Sequence, residues 1–282
     1  MTHVEPLRAG SVEVSAMCQG HARLLLNEEC PGRDVDWEAE RARHPWAFHD
    51  ERSWPWHVHG FVARGPWGVA AIDTGVGAYP PYRPWAGRSG RTAEAAYEEL
   101  GVETAEVGLV VLSHLHADHA GGVWAGDGPR FANARVVLHE ADLAFFSDRH
   151  EPYAAVPEMQ RLHELDLLDL DPADREVAPG LRVVHTPGHT PGHRSIVLEA
   201  GDDRIVITGD LLHIPIQAAH PEWSSSHDEE PEAGAASRTA LLRRAASEAW
   251  LVGVPHFARP FGRVDGAGWR SIRPSGTGAD AS

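Results

Sequence analysis

Ser113-His114-Leu115-His116-Ala117-Asp118-His119 packs four side chains able to ligate a metal into six consecutive positions. Neutral imidazole is the commonest protein ligand for zinc-type ions, and a carboxylate adds the negative charge that a second divalent ion needs. The preceding Leu109-Val110-Val111-Leu112 is a short apolar run of β type, so His114 and His116, two apart, point the same way as the strand gives out. Asp118 and His119 fall where Gly121-Gly122 lets the chain turn sharply. One strand end can therefore feed two neighbouring ions. A polar surface loop in a chain with 19 His is the blander reading, and the density of ligands speaks against it.

Such a centre needs ligands from elsewhere, because a structural zinc takes four and a two-ion catalytic site takes more. Three residues stand out, each at the C-terminal end of an expected strand. His189 follows the strand Leu181 to His185 inside Thr186-Pro187-Gly188-His189-Thr190-Pro191-Gly192-His193, where two Pro-Gly pairs enforce a rigid loop. Asp210 closes Arg204-Ile205-Val206-Ile207-Thr208-Gly209-Asp210, a buried-type strand ending on Gly and a carboxylate. His256 follows Leu251 to Val254 and precedes a loop with Pro260 and Gly262. A rigid sheet edge that collects one ligand per strand suits a metal site.

The rest of the chain bounds the function. Its 282 residues, 42% hydrophobic and 23% charged, suit a soluble globular protein with a substantial core. A formal charge of −16 argues against nucleic acid, which demands clustered basic surface. Every cation is Arg, since Lys is absent. Cys18 and Cys30 are the only cysteines, which excludes a cysteine-rich structural zinc site and leaves one disulfide or two free thiols. Leu24-Leu25-Leu26 is far short of a signal-peptide core or a membrane span, so cytoplasmic residence is the default.

Residues 1–52 hold one expected strand, Val12 to Met17, and too few apolar residues for a core of their own, so they are expected to wrap on the main domain. Val58 to Ala63 and Gly68 to Ile72 predict a hairpin turning at Gly65-Pro66 and ending at Asp73-Thr74-Gly75. Pro80 to Gly90 predicts a loop. A helix is expected from Thr92 as N-cap to Leu100, with Gly101 as its stop. Further strands fall at Arg135 to Leu138 and Ile196 to Glu199, and helices near Ala141 to Phe146 and from Ser237 to Trp250. Strands outnumber helices but the two mix throughout, which predicts a layered α and β domain.

Taken together, the run 113–119 with Ala120-Gly121-Gly122, the strand-ending Asp73-Thr74-Gly75, the Thr186 to His189 loop, Gly209-Asp210 and His256 resemble the metallo-β-lactamase superfamily, in order and spacing, from about Phe61 to Arg270. The resemblance implies an α+β fold, the four-layer αββα sandwich, as one domain over 1–282 with 1–52 packed on it and 271–282 a flexible tail. It implies two divalent metal ions, zinc first, with Mn, Fe or Co as alternatives. His114, His116 and His189 would hold one ion, Asp118, His119 and His256 the other, and Asp210 would bridge them. Asp73 would support the metal loop without ligating.

Within the superfamily the chain is most similar to the branch of methyl parathion hydrolase and related lactonases. His213 stands where the best-known quorum-quenching lactonases carry a Tyr three residues after the bridging Asp, so assistance by that phenol is not expected. Asp210 itself disfavours β-lactam hydrolysis, because the true β-lactamase branch has Cys there or no bridge.

The chemistry so implied is attack by a metal-bridging hydroxide on a small ester, lactone or phosphotriester, with ions about 3.5 Å apart bringing a shared water to a pKa of about 7. Asp118 and Asp210 are the catalytic residues of this reading, Asp118 as a proton shuttle. The competing readings are a thioesterase of the glyoxalase II kind and a biosynthetic cyclase or non-hydrolytic metal-stabilised domain. A small-molecule substrate with an apolar part is the expected partner, with neither nucleic acid nor membrane, and a homodimer stays open. His213, Trp223, Phe146 and Trp54 are the named candidates for the substrate pocket, with Trp56, Trp85 and Phe145 as further aromatics near loops. His57 and His59 share one face of a strand without a carboxylate and are read as buried or interface residues. His185 and His193 are expected to hydrogen-bond the His189 loop. His139, His163, His220 and His227 are expected at the surface or in loops.

Overall fold

The computed structural model describes residues 4–77, 91–149 and 151–272. The expected loop at 80–90 and most of the expected tail lie outside the described residues. In chain order the strands are β1 (Leu7–Ala9), β2 (Val12–Leu25), β3 (Ser53–Gly65), β4 (Gly68–Ile72), β5 (Val107–Val111), the short pair β6 (Trp124–Ala125) and β7 (Gly128–Pro129), β8 (Arg135–Leu138) and β9 (Leu168–Leu170). A second set follows: β10 (Arg175–Ala178), β11 (Leu181–His185), β12 (Arg194–Ala200), β13 (Asp203–Ile207), β14 (Leu251–Gly253), β15 (Phe261–Asp265) and β16 (Gly268–Ser271). The helices are α1 (Trp37–Arg43), α2 (Ala93–Glu99), α3 (Ala117–Ala120), α4 (Glu140–Arg149), α5 (Val156–Glu164), α6 (Ile216–Ala219) and α7 (Pro231–Ser247).

Two seven-stranded sheets result, ordered β1-β2-β3-β4-β5-β8-β9 and β10-β11-β12-β13-β14-β15-β16. β4, β5, β8 and β9 pair in parallel, as do β13 and β14, and their ends mark where ligand-bearing loops leave the sheets. Strands covered on both faces must be apolar throughout, which is why 109–112 and 205–207 read as unbroken Val, Leu and Ile runs with little alternation.

Three apolar layers hold the sandwich. Phe61, Ile72 and Val111 of the first sheet meet Leu181, Val183, Ile196, Ile205 and Ile207 of the second between the sheets. On the outer face of the first sheet, Val110, Val136 and Leu138 pack under Ala96 and Tyr97 of α2, Phe146 of α4 and Met159 and Leu162 of α5. Leu241, Leu242 and Ala245 of α7 cover Val206 and Val252 on the outer face of the second. The order helix, sheet, sheet, helix is the four-layer αββα arrangement.

Local signals account for most boundaries. Thr92 caps α2 by accepting the Ala95 N–H at 3.2 Å, and Gly101 ends it at φ 61°. Residues 7–25, expected to wrap on the main domain with a single strand to Met17, supply two strands of the first sheet instead. β2 runs on to Leu25 because its register with β3 shifts between Cys18 and Gly20, a bulge that breaks the two-residue alternation yet preserves the pairing as far as Leu25 opposite Ser53. α5, β9, β10, β15 and β16 lie outside the sequence expectations; the four strands are only three to five residues long, and α5 has nine residues. His139, expected at the surface or in a loop, lies in the loop between β8 and α4 but is buried and stacks on His185 at 4.4 Å. Cys18 and Cys30 are both free. No helix among the described residues is long and apolar enough to cross a membrane.

The loop carrying the His cluster docks tightly enough to forbid side chains. A Cβ on Gly122 would sit 2.0 Å from the Thr74 carbonyl oxygen, a backbone atom with nowhere to go. Gly122→Ala should therefore lower stability by roughly 1–3 kcal/mol through forced backbone movement, read as a lower midpoint in urea unfolding. An unchanged midpoint would show that this approach is loose.

Candidate metal centre

The site begins at the turn after β4. Asp73 takes a left-handed φ of 53°, a conformation that costs a non-glycine residue roughly 1–3 kcal/mol and that Asp tolerates better than most. The bend aims its fully buried carboxylate at the end of β5, where Oδ1 accepts the Ser113 N–H at 2.8 Å and Oδ2 accepts the Ser113 hydroxyl at 2.8 Å. Oδ2 also accepts from His119 Nδ1 at 2.8 Å. Beside it, the Thr74 N–H and hydroxyl both donate to the His119 carbonyl, at 2.6 and 2.9 Å. The single turn α3 reverses the chain after His116 and brings Asp118 and His119 round to the same side as His114 and His116.

The seven expected ligands converge. His114 Nε2 lies 2.9 Å from His116 Nδ1, which lies 3.0 Å from His189 Nε2. His119 Nε2 lies 3.4 Å from Asp118 Oδ2, and His256 Nε2 lies 3.8 Å from the same oxygen. Asp210 sits between the two groups. Its Oδ1 is 3.1 Å from His119 Nε2 and 2.9 Å from His256 Nε2, while Oδ2 is 3.4 Å from His189 Nε2. Asp210 reaches this place because Gly209, at φ 56°, turns the end of β13; a Cβ there would press 2.5 Å from His193 Nε2.

Three of the imidazoles, His114, His119 and His256, have their remote nitrogen hydrogen-bonded, and a carboxylate stands near that of His189. Asp73 holds His119 Nδ1, and the His57 carbonyl accepts from His256 Nδ1 at 2.6 Å. Ser113 Oγ, which gives its own proton to Asp73, accepts from His114 Nδ1 at 3.0 Å, and Asp228 Oδ1 lies 3.6 Å from His189 Nδ1. These partners fix tautomers whose lone pairs point inward, as hydrogen-bond acceptors behind the ring do for metal-binding histidine. His119 Nε2, Asp118 Oδ2 and Asp210 Oδ1 are buried with no hydrogen-bond partner. Facing lone pairs and orphaned buried oxygens are costly in a dry site unless a cation lies between them, so the donor set fits a dinuclear divalent-metal site. The charges agree: burial alone would push the Asp210 carboxyl up, but His119 and His256 hold it well below the usual carboxylate range. Burial drives His114 well below its ordinary value, which keeps it a neutral donor.

Several supports have no local signature in the sequence. Asp142, in the first turn of α4, accepts the Leu115 N–H at 2.9 Å and the Gly192 N–H at 2.6 Å, tying the His114 loop to the His189 loop. Asp228 pairs with Arg238 at 3.1 Å while facing His189. His193 serves Asp210 as well as its own loop: its Nε2 accepts the Asp210 N–H at 2.9 Å, and burial pushes it down to about 3, so it stays neutral. His185 contacts the Pro191 carbonyl at 2.8 Å, inside the same loop.

A cavity of about 410 Å³ opens over the cluster. Trp54 and His213 line it as expected, His213 with Nε2 3.4 Å from Asp210 Oδ2. Phe146 and Trp223 do not. Phe146 faces down from α4 into the outer apolar layer, its ring 5.2 Å from that of His116, and Trp223 lies flat on His220 at 4.0 Å. Trp56 lines the cavity, Phe145 does not, and Trp85 lies outside the described residues. His227, expected at the surface or in a loop, is an exposed turn residue that also forms part of the wall, with Glu29, Glu151, Tyr153 and Leu24. Glu29 is completely buried and desolvation pushes its carboxyl up to about 8. Nothing near residue 29 in the sequence signals that position.

Residues 55–256 match the family model described as the metallo-beta-lactamase superfamily. An N-acyl homoserine lactonase of a Bacillus species is 32% identical over 148 residues, 51% of this chain and 51% of that protein. An N-acyl homoserine lactonase of Bacillus cereus is 30% identical over the same length. The chain thus spans about half the length of the curated relatives it matches. Among solved structures, the hydrolase AbOPH in the beta lactamase superfamily superposes with a TM-score of 0.80 at 20% identity, covering 99% of each chain. AidC, a dizinc quorum-quenching lactonase, does so at 0.77 and 19%, covering 98% of this chain and 99% of its own.

Asp73→Asn tests how the loop is held. One amide group would set a donor against donors at Ser113 or His119, and zinc affinity should fall about 10–100-fold, measured by competition with a chromogenic chelator while circular dichroism confirms the fold. Wild-type affinity in that variant would remove Asp73 from the positioning of the ligands.

Proposed function

This chain belongs to the metallo-beta-lactamase superfamily, and from that premise we propose that it is a dinuclear metal-dependent hydrolase that adds water across a small uncharged ester, with a lactone as the leading substrate. The observation that carries the reading is Asp210, whose carboxylate lies between the two groups of ligand-type side chains, within 3.4 Å of His119, His189 and His256, at the floor of an open cavity. His114, His116 and His189 would hold one ion, Asp118, His119 and His256 the other, with Asp210 between them. Two divalent ions, zinc first given the dizinc neighbour, supply when bound a water acidified to near-neutral pKa and Lewis acidity for the acceptor oxygen.

The protein does the rest. Asp118 lines the cavity beside His119 and His256, so its carboxylate takes the proton released by the attacking water and returns it to the leaving alkoxide as the ester bond breaks. Leu24, Trp54 and Trp56 provide an apolar wall for an acyl or aryl part. His213 reaches both the cavity and Asp210, and contacts substrate where the best-known lactonases would offer a phenol.

Charge chooses among superfamily substrates. Glu151, Asp228 and Glu229 face the cavity, with Glu29 held largely protonated by burial, and, among the described residues, no Arg does. An anionic glutathione thioester would meet repulsion there, which disfavours the glyoxalase II reading. A neutral lactone, ester or phosphotriester pays no such penalty, and the names of the matched relatives favour the lactone. The same reading treats residues 1–282 as one domain and the cytoplasm as its place of action, consistent with two free thiols.

A panel of lactones of varied chain length, aryl esters, thioesters and a phosphotriester, assayed with defined metals, tests the substrate class. Lactone turnover should exceed thioester turnover, and a reversed order would return the glyoxalase II reading. Asp210→Asn should cost more than about 100-fold in turnover, beyond what a supporting residue outside the ligand set costs, together with loss of bound metal. Near-unchanged metal content and rate in that variant would sink the bridging role.

A further inference from the structure

Away from Asp210, a second group of ligand-type side chains comes together where β2 pairs with β3. Cys18, His57 and His59 each present one ligand atom, and these atoms lie within 4.8 Å of one another. We propose that Cys18, His57 and His59 form a third metal site, separate from the dinuclear centre, that takes a zinc-class ion through one thiolate and two imidazoles.

The backbone builds the site. Cys18 lies directly opposite His59 in the β2–β3 register, and the shift between Cys18 and Gly20 falls beside it. His57 and His59, two apart on β3, hold their rings parallel within 3° at 5.4 Å. Cys18 Sγ lies 3.7 Å from His57 Nδ1. Bonds of about 2.3 Å to sulfur and 2.0 Å to nitrogen at tetrahedral angles place the two ligand atoms about 3.5 Å apart, so the observed separation needs only a small adjustment. His59 is fully buried and gives its Nδ1 proton to the Pro255 carbonyl at 2.6 Å, which leaves Nε2 as the lone-pair nitrogen. Burial also pushes His59 down to about 4, so that it stays an uncharged donor at neutral pH. Cys18 is partly exposed, which gives an ion a way in. Mixed thiolate and imidazole donors suit zinc better than the harder ions that carboxylate sites accept.

Binding is a simple exchange: the Cys18 thiol loses its proton to solvent, a sulfur–metal bond forms, and nothing is oxidised or reduced. The position gives the ion a purpose. The His57 carbonyl accepts from His256 Nδ1 at 2.6 Å, and the His59 N–H donates to the Pro255 carbonyl at 3.2 Å. An ion clamping β2 to β3 here would hold from behind the strand that orients His256.

Cobalt distinguishes this site from the dinuclear cluster, which contains no sulfur. The full chain saturated with Co²⁺ should show thiolate-to-cobalt charge-transfer absorption in the near ultraviolet and bind one equivalent more than Cys18→Ser, in which the band disappears. Cys30→Ser should keep the band, because that thiol is buried and pushed up to about 12. His57→Ala retains the backbone carbonyl and should lose the band too, which covers the case in which Cys18→Ser fails to fold. Alkylation of Cys18 by iodoacetamide should slow when zinc is present. No charge-transfer band in the cobalt-saturated wild type, or a band that survives Cys18→Ser, would overturn the site and leave a thiol–imidazole hydrogen bond in its place.

Discussion

A single buried carboxylate organises this molecule's chemistry. Asp73 accepts three hydrogen bonds, two from Ser113 and one from His119, and it does so from a backbone conformation that most residues avoid. A charge with no exposure to water is tolerable only when its acceptor positions are filled, so the loop that fills them cannot drift without exposing that cost. The loop carries His114, His116, Asp118 and His119. The strain at residue 73 is thus repaid at 113 and 119, and the same bonds that stabilise the turn fix which nitrogen of His119 faces inward.

The second sheet answers this arrangement with a different device. His189, Asp210 and His256 come from three loops, and small residues bring each loop close: the two Pro-Gly pairs before His193, Gly209 before Asp210, and Gly253 at the end of β14. Asp142 then binds the Leu115 and Gly192 amides at once, so the two sheets are stitched at the ligand level as well as through their shared apolar layer. His256 has a further neighbour in the ring of Trp56, 4.8 Å away, which joins the cavity wall to the cluster.

What the sequence disclosed follows the range over which each signal acts. The run 113–119 is legible because strand, ligands and turn are contiguous, and His189, Asp210 and His256 because each closes an apolar run of its own. Helix α2 was legible to its cap because Thr92 and Gly101 act within a few residues. Asp142, Asp228 and Glu29 have no such context; their roles exist only once helices and loops distant in sequence meet. The same limit explains Phe146 and Trp223, aromatic residues beside loops whose direction is decided by packing. It also explains Cys18 and His57, 39 residues apart, which become neighbours only across a strand pair whose length was hidden by a bulge.

The division of the cluster between two sheets has a temporal side. A ribosome emits the first sheet's contribution, His114 through His119, long before His256, and every group of three gathered around Asp210 draws a member from the late half. An early fragment therefore offers only pairs of donors, which grip an ion far more weakly than triads. The group with His189 can close well before β14 is made, but the group with His256 would be complete only once β14 has slotted in beside β13, so filling of that second place would report that the late strand has docked.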